Sequence, residues 1–331
     1  MKDQLSLFSG AAASEAERIL RPVVNPVRNA RDAELASLLP PFLHFGTSSW
    51  TFPGWAGLVY EAPVTTKDLV ASGLKAYAQN PLFSSVGIDR SYYAPLARAE
   101  LDAYAADVPA GFRAVATAWN EVTIYVFPDH PSAGARAGQR NPNFMSADIV
   151  RHQILPAFEG AFAEHTRAIV FEMPPIPDGM LPRGRELCER IGAMLEHLPS
   201  TFSYAFEPRN REIVTPRYLS TLRAHRAAHV LSYWSGVPPL ALQLKIPFPA
   251  SFVVLRVMQP PRTRYEQLRA AYAPFDKLVR VDPDMRDDVV RLVRMCAESE
   301  RDLYVLVGNK SEGCAPLTVR ALAEMVVAAR V

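Results

Sequence analysis

The chain has 331 residues, of which 49% are hydrophobic and 21% charged, as expected of a globular protein with a substantial core. Its 36 Lys and Arg residues nearly balance 34 Asp and Glu residues, which argues against a protein held to nucleic acid mainly by overall charge. No apolar run approaches the ~20 residues of a membrane span, and the first residues lack the apolar stretch of a signal peptide, so we expect a cytoplasmic protein without membrane contact.

The first eight residues include a short apolar peptide, Gln4-Leu5-Ser6-Leu7-Phe8. It resembles the pentapeptide with which bacterial replication and repair proteins bind the DNA sliding clamp. In such an extended peptide, Gln4 would form hydrogen bonds, while Leu5, Leu7 and Phe8 would fill apolar pockets of the partner. The resemblance predicts residues 1–8 as a clamp-binding peptide, with the clamp and its DNA as partners. A chance match, or a tail packed on its own protein, is the alternative.

Residues 9–40 form the next segment, which is rich in Ala, Arg, Pro and Asn. A helical period is visible only over residues 33–39. This composition predicts a tether with at most one short helix. The remainder, residues 41–331, is predicted to be one domain, on the repeating pattern of elements that begins at Leu43.

From Leu43 onward, short apolar runs alternate with longer segments of helical period. The runs are rich in Val and Phe and too short for helices, which indicates strands. The predicted strands cover residues 43–48, 84–89, 113–118, 168–172, 203–207, 229–233, 252–257 and 303–307. The predicted helices cover residues 67–79, 95–106, 147–164, 183–198, 216–226, 264–273, 285–299 and 316–329.

This alternation of strand and helix predicts parallel strands covered by helices. Eight repeats over about 290 residues match a closed (β/α)8 barrel, an α/β fold that takes ~250 residues before insertions. The alternative is an open, doubly wound sheet, but no Gly-x-Gly-x-x-Gly turn follows any predicted strand. We therefore predict a single TIM-like barrel with an N-terminal extension.

Polar and aromatic side chains follow the predicted strands, where barrels of this kind place their active groups. Glu207 and Arg209 are the most suggestive, because a carboxylate at a strand end can act as base or ligand and a nearby arginine can bind phosphate. Together with Asp89 they are the candidate catalytic residues. The candidate ligand-binding residues are Trp50, Tyr92, Tyr93, Glu172, Trp234, Arg256, Asn309 and Lys310.

Each candidate also has a purely structural interpretation. Glu207 with Arg209, and Asp89 with Arg90, could be ion pairs that close the barrel mouth. Trp50 could pack in the core, and a barrel of this size needs other aromatic residues as filler. The sequence leaves both interpretations open at these positions.

Residue spacing indicates no metal site. Three cysteines, Cys188, Cys296 and Cys314, are far apart in the chain, and the seven histidines form no His-x-His or His-Glu-x-x-His pattern. A divalent metal stays possible, but no cluster of ligands stands out and no cofactor is assigned.

Five motifs lie in order along the chain. They are Phe-Gly-Thr-Ser-Ser-Trp-Thr-Phe-Pro-Gly-Trp at 45–55, Phe-Glu-Met-Pro-Pro at 171–175, Tyr-Ala-Phe-Glu-Pro-Arg-Asn at 204–210, Val-Leu-Arg at 254–256 and Gly-Asn-Lys at 308–310. Together they resemble the YecE-like family, a bacterial family of TIM-like barrels whose function is unknown. The resemblance implies the barrel fold and assigns no reaction. Histidines that members often carry after the third and seventh strands are absent here.

The leading functional hypothesis is a YecE-like barrel, recruited to DNA by the sliding clamp, that acts on a phosphate-containing substrate such as damaged DNA. Phosphodiester hydrolysis is the reaction class to test first. Two alternatives stay open: a non-catalytic clamp-associated adaptor, and a sugar-phosphate-processing barrel unrelated to DNA. The composition of the strand ends does not separate them.

Overall fold

The structure is a computed structural model that describes residues 22–177 and 179–331. Eight strands form a closed barrel in chain order, each parallel to its neighbours, and the last strand pairs with the first. The strands are β1 Leu43–Thr47, β2 Ser85–Ile88, β3 Arg113–Thr117, β4 Thr166–Met173, β5 Tyr204–Pro208, β6 Ala228–Tyr233, β7 Phe252–Val257 and β8 Asp302–Val307. The predicted (β/α)8 barrel is confirmed, and each strand ends within two residues of its predicted bounds.

Helices cover the outside of the barrel between the strands. They are α1 Ala30–Ser37, α2 Thr66–Asp68 continued by Leu69–Gly73 and Leu74–Tyr77, α3 Arg98–Asp107, α4 Ala147–Ile149, α5 Gly184–His197, α6 Pro216–Ala224, α7 Leu240–Gln243, α8 Tyr265–Tyr272, α9 Pro283–Glu298 and α10 Ala315–Ala328. None of the helices within these described residues is long and apolar enough to span a membrane.

The prediction of one continuous helix over residues 147–164 was wrong. After α4 the chain passes through a π-helical turn, Val150–Ile154, and a 3-10 turn, Leu155–Glu159. Pro156 has no N–H to donate to the preceding turn, and Gly160 adopts an extended conformation that ends the run. The spacing of apolar residues alone does not reveal such a break in a helix.

Alternate strand residues point into the barrel, and their character changes along its axis. The central interior layers are mainly apolar, with small side chains such as Ala168, Val170, Ala205 and Val254 beside the larger Tyr304. The next interior positions, at the carboxyl ends of the strands, are polar. The strand register places Glu172 beside Glu207, and Ser232 beside Arg256. The polar end of the interior is the barrel mouth, where active groups of this fold are found.

Two glycines of the 45–55 motif are required by close backbone approaches. A Cβ on Gly46 of β1 would overlap the carbonyl oxygen of Ser85 in β2. A Cβ on Gly54, in the loop after β1, would overlap the carbonyl oxygen of Pro274 in the loop after α8. Glycine at these positions therefore lets β1 approach β2 and lets the two loops meet beside the mouth.

The described part of the N-terminal extension lies against the barrel. The Asn29 side chain caps α1, and Asp32, 1% exposed, accepts hydrogen bonds from Arg320 of α10 at 2.7 and 2.6 Å. Upstream, the Val27 N–H donates to the Val59 carbonyl in the loop after β1 at 2.9 Å. Residues 22–40 thus belong to the barrel's surface. The predicted clamp peptide, residues 1–8, lies outside the described residues.

Candidate functional site

Three carboxylates and two arginines meet at the barrel mouth. Glu172, Glu207 and Arg256 occupy interior positions at the ends of β4, β5 and β7, while Asp89 directly follows β2 and Arg209 directly follows β5. Four different segments of the chain are therefore brought together by the closure of the barrel. With all groups ionised, three negative and two positive charges give the cluster a formal charge of −1.

Arg256 is the centre of this cluster. Its Nη1 donates to Glu172 Oε2 at 2.5 Å and to Glu207 Oε2, and its Nη2 donates to Asp89 Oδ1 at 2.9 Å. The side chain is 3% exposed. Burial lowers the pKa of Arg256, but the three carboxylates outweigh burial and hold that pKa above its ordinary value. Arg256 therefore stays charged and fixes the three carboxylates relative to one another.

Arg209 is the second cation and is not fully satisfied. Its Nη2 lies 2.9 Å from Glu207 Oε1 and 3.4 Å from Glu172 Oε2. Glu207 and Arg209 therefore form the ion pair that the sequence suggested. Its guanidinium carbon lies 4.5 Å from the centre of the Trp234 ring. Its Nη1 is buried and has no hydrogen-bond partner among residues 22–177 and 179–331. A buried donor without an acceptor is costly, which points to a ligand atom at this position.

Hydroxyl groups complete the hydrogen bonding of the carboxylates. Thr117 Oγ1 donates to Asp89 Oδ1 at 3.0 Å, and the Ser232 hydroxyl donates to Glu207 Oε1. Gln243 of α7 holds the Ser232 backbone in turn, accepting from its N–H at 2.9 Å and donating to its carbonyl at 2.7 Å. Gln243 was not predicted as part of the site, because α7 has only four residues and is too short to show a helical period.

Of the two glutamates in the cluster, Glu172 is the more accessible. Its side chain is 22% exposed, whereas that of Glu207 is 0% exposed. Burial raises the pKa of Glu172, but Arg209 and Arg256 together outweigh burial and lower that pKa to about 2. Glu172 is therefore ionised at neutral pH. It can hold a ligand electrostatically or accept a hydrogen bond, but it has no proton to donate.

A cavity of about 500 Å³ adjoins Arg209 and Trp234. Its walls come from the loops after β4, β5 and β6, with Pro175 and Ile176 on one side and Trp234 on the other. Ligand pockets of ≈300–1,000 Å³ are common, so the space suits a small molecule. Arg209 borders both the cavity and the charged cluster, so this residue connects the two.

The remaining candidates divide between the rim and the core. Tyr92 is half-buried, Tyr93 is 46% exposed, and Lys310 Nζ lies 4.1 Å from the centre of the Tyr265 ring, so these three line the outer mouth. Trp50 does not join them, because it is 3% exposed and its indole N–H donates to the Leu69 carbonyl at 3.0 Å.

Asn309 is also turned away from the cluster. Its Oδ1 accepts hydrogen bonds from the Trp55 indole N–H at 3.1 Å and from the Ala315 N–H at 2.8 Å. Asn309 thus connects the loop after β1 to the start of α10. Among the residues that the structure describes, no group of three or more His, Cys, Asp and Glu side chains is placed to hold a metal ion. The three clustered carboxylates are instead bridged by arginines.

Gly236 gives a direct test of how Trp234 is seated on Arg209. A Cβ at Gly236 would overlap the Trp234 ring, so Gly236→Ala is expected to displace the ring from Arg209. The displaced ring should be more exposed, and acrylamide should quench tryptophan fluorescence more strongly than in the wild type. Gly184→Ala is the matched control, because a Cβ there meets no atom within 4 Å. Equal quenching in both variants would contradict this geometry.

Comparison with known proteins identifies the relatives of this barrel. A family model described as protein of unknown function DUF72 matches residues 44–331. DUF72 is the YecE-like family, so the resemblance predicted from the motifs is confirmed. Comparison with curated proteins gives no match.

Solved structures agree on the fold. A DUF72 family protein from Enterococcus faecalis V583 shares 13% identity at a TM-score of 0.61, covering 86% of this chain and 95% of that chain. A DUF72 family protein from Thermotoga maritima MSB8 shares 16% identity at a TM-score of 0.56, covering 86% of this chain and 98% of that chain. At these identities the likeness concerns the fold alone.

Proposed function

The chain belongs to the DUF72 family, and from the geometry of its barrel mouth we propose that it binds a small phosphate ester carrying a sugar or nucleoside ring. The observation that carries the proposal is Arg209, which lines a cavity beside Trp234 and whose buried Nη1 has no hydrogen-bond partner among the described residues. A ring hydroxyl or carbonyl oxygen would accept from that Nη1, and the Trp234 ring would pack against the face of the ligand.

The inner site favours a neutral part of the ligand. The cluster carries a formal charge of −1, so a phosphate placed directly on it would be repelled. Cations without an ion-pair partner in the described part of the chain lie farther out instead, at Arg262, Arg264 and Lys310. A ligand with a neutral ring and a phosphate would match this separation of charge between cavity and rim.

The charge state of the cluster supports binding more than proton transfer. Glu172, the accessible glutamate of the cluster, is ionised at neutral pH and has no proton to donate. A phosphodiester or sugar-phosphate reaction at this mouth would therefore draw on electrostatic stabilisation by the fixed charges. We retain such a reaction as the enzymatic form of the proposal.

Arg209→Lys is expected to weaken binding of thymidine 5′-monophosphate by about tenfold or more, because a lysine cannot replace both guanidinium nitrogens at once. Isothermal titration calorimetry on wild type and variant measures this change, with inorganic phosphate and ribose 5-phosphate as further probes. Arg185→Lys, on the exposed face of α5, is the matched control. Wild-type protein that binds none of the three probes, or an Arg209→Lys variant that binds as wild type does, would overturn the proposal.

A second candidate function rests on the sequence of residues 4–8, which resembles a clamp-binding peptide. It is a clamp-recruited protein of DNA repair or phosphodiester processing, either an enzyme or a clamp-associated adaptor. In this function the clamp supplies localisation that a chain of net charge +2 does not obtain from its overall charge.

A synthetic peptide of residues 1–10 is expected to bind a bacterial sliding clamp with a dissociation constant on the order of 1–10 µM. Replacing Leu7 and Phe8 by Ala in the full-length protein should abolish binding to the clamp while leaving the barrel's melting temperature unchanged, whereas Ser6→Ala should retain binding. Fluorescence anisotropy and thermal unfolding measure the two effects. Failure of both peptide and full-length protein to bind would remove the support for clamp recruitment.

A further inference from the structure

Exposed aromatic rings and cationic side chains lie side by side on the outer rim of the mouth. Tyr93, in the loop after β2, and Tyr265, at the start of α8, are each 46% exposed. Tyr93 follows β2 and Tyr265 follows β7, so both lie beyond the carboxyl ends of strands. The rim therefore presents flat apolar surfaces next to the site that we propose for the ring of a phosphate ester.

Two of the tyrosine rings on the rim contact each other. The ring centres of Tyr92 and Tyr93 lie 5.3 Å apart at right angles. Burial raises the pKa of Tyr93, and the neighbouring Tyr265 raises it further. Burial and the charge of Glu172 raise the pKa of Tyr92, which ends the turn Asp89–Tyr92 that begins with the Asp89 of the charged cluster. The Tyr92–Tyr93 pair thus lies on the mouth next to the charged cluster.

Cations accompany the outer rings. Lys310 Nζ lies 4.1 Å from the centre of the Tyr265 ring, and Arg262 and Arg264 precede Tyr265 in the chain, both exposed. None of the three forms an ion pair within residues 22–177 and 179–331. The loop that carries the two arginines is ordered by its own hydrogen bonds, since Thr263 Oγ1 donates to the Pro260 carbonyl at 2.5 Å. Aromatic rings interleaved with cations are the pattern of a surface that tracks a single strand of nucleic acid.

We propose that the rim defined by Tyr92, Tyr93, Tyr265, Arg262, Arg264 and Lys310 binds single-stranded DNA, with bases stacked on the tyrosines and phosphates on the cations. The inference rests on the proposed function, because one nucleotide of the strand would occupy the cavity at Arg209 and Trp234. Single strands fit better than duplexes, because the base faces of a duplex are stacked on one another and cannot stack on the tyrosines. DNA is chosen over RNA on the clamp-like peptide at residues 4–8.

Binding of a fluorescein-labelled oligonucleotide of twelve thymidines to the full-length protein tests the proposal by fluorescence anisotropy at low salt. Tyr265→Ala and Tyr93→Ala should each weaken binding by about tenfold, in line with the loss of one base–aromatic stack, while Tyr265→Phe should restore it. Arg262→Gln combined with Arg264→Gln should also weaken binding and make the salt dependence less steep, with a smaller change in log K per log of salt concentration. Arg294→Gln, an exposed arginine on α9, is the matched control and should bind as wild type does.

The outcomes separate this inference from the proposed function. Loss of oligonucleotide binding in the tyrosine variants, with thymidine 5′-monophosphate still bound, supports the rim. Wild-type protein that binds the mononucleotide in an Arg209-dependent way but not the oligonucleotide overturns the rim and leaves the proposed function standing. Equal binding by wild type and Tyr265→Ala, or tighter binding of a duplex or of a twelve-uridine RNA, also overturns it.

Discussion

Replacing Arg256 with Met is expected to lower the free energy of unfolding by about 3–5 kcal/mol, as removal of one partner from a buried ion network typically does. The substitution leaves Glu207, 0% exposed, without its guanidinium partner from β7, and it removes the contact that holds Asp89 to Glu172. The cost is dominated by the uncompensated negative charges rather than by lost attraction. Urea unfolding at pH 7, followed by circular dichroism, measures the difference.

Two further variants make the result interpretable. Arg256→Lys keeps the charge but offers one nitrogen to three carboxylates, so an intermediate loss is expected. Arg185→Met breaks an ion pair of 2.7 Å whose side chains are 77% and 59% exposed, and solvent screening should limit its effect to less than about 1 kcal/mol. If Arg256→Met and Arg185→Met lose equal stability, the mouth cluster is not the buried network that its geometry indicates.

The barrel could be predicted from the sequence because the signal repeats along the whole chain. Strands such as β7, Phe252–Val257, are buried on both faces and therefore appear as continuous apolar runs between helical segments. The polar strand ends were visible for the same reason, since Glu172, Glu207 and Arg256 each close an apolar run. Position at a strand end was enough to nominate them.

The pairing within the site could not be predicted, because it depends on register across the barrel. Sequence neighbours suggested that Asp89 could pair with Arg90, but Arg90 pairs with Glu100 and Asp89 is held by Arg256, 167 residues away. Arg256 is central because it lies on an interior position at the same level as Glu172 and Glu207. The inward or outward direction of a side chain changes with a single residue of register, which apolar runs do not fix.

Trp50 shows a second limit of predicting site residues from their position at a strand end. It follows β1 at the end of the barrel that carries the mouth, yet its ring contacts Tyr104 of α3 edge-on with the ring centres 5.2 Å apart. Its conspicuous place in the 45–55 motif is explained by packing of the helical layer and by its hydrogen bond to Leu69. Proximity to a strand end thus located the charged groups correctly but did not distinguish a rim aromatic residue from a core one.

The ionisation of Glu172 leads to the second large effect, a loss of stability in acid. The folded protein holds the pKa of Glu172 at about 2, below the ordinary 4.5 of a glutamate, chiefly because Arg209 and Arg256 outweigh the effect of burial. A carboxyl with a lowered folded pKa stabilises the protein above its unfolded pKa, and that stabilisation disappears as the pH falls toward the folded value. The contribution of Glu172 should therefore be complete at pH 6 and lost between about pH 5 and pH 2, at a cost on the order of 3 kcal/mol.

Glu172→Gln isolates this contribution, because the amide cannot titrate. At pH 6 the variant should be less stable than the wild type, and the difference in unfolding free energy should narrow by about 3 kcal/mol as the pH falls to 2. Glu189→Gln, which alters an exposed pair on α5, should stay within about 1 kcal/mol of the wild type throughout. Urea unfolding at a series of pH values measures both differences. A constant gap between wild type and Glu172→Gln would mean that the two arginines do not hold Glu172 ionised, and the mouth would then lack the fixed negative charge that directs a phosphate to the rim and a neutral ring to the cavity.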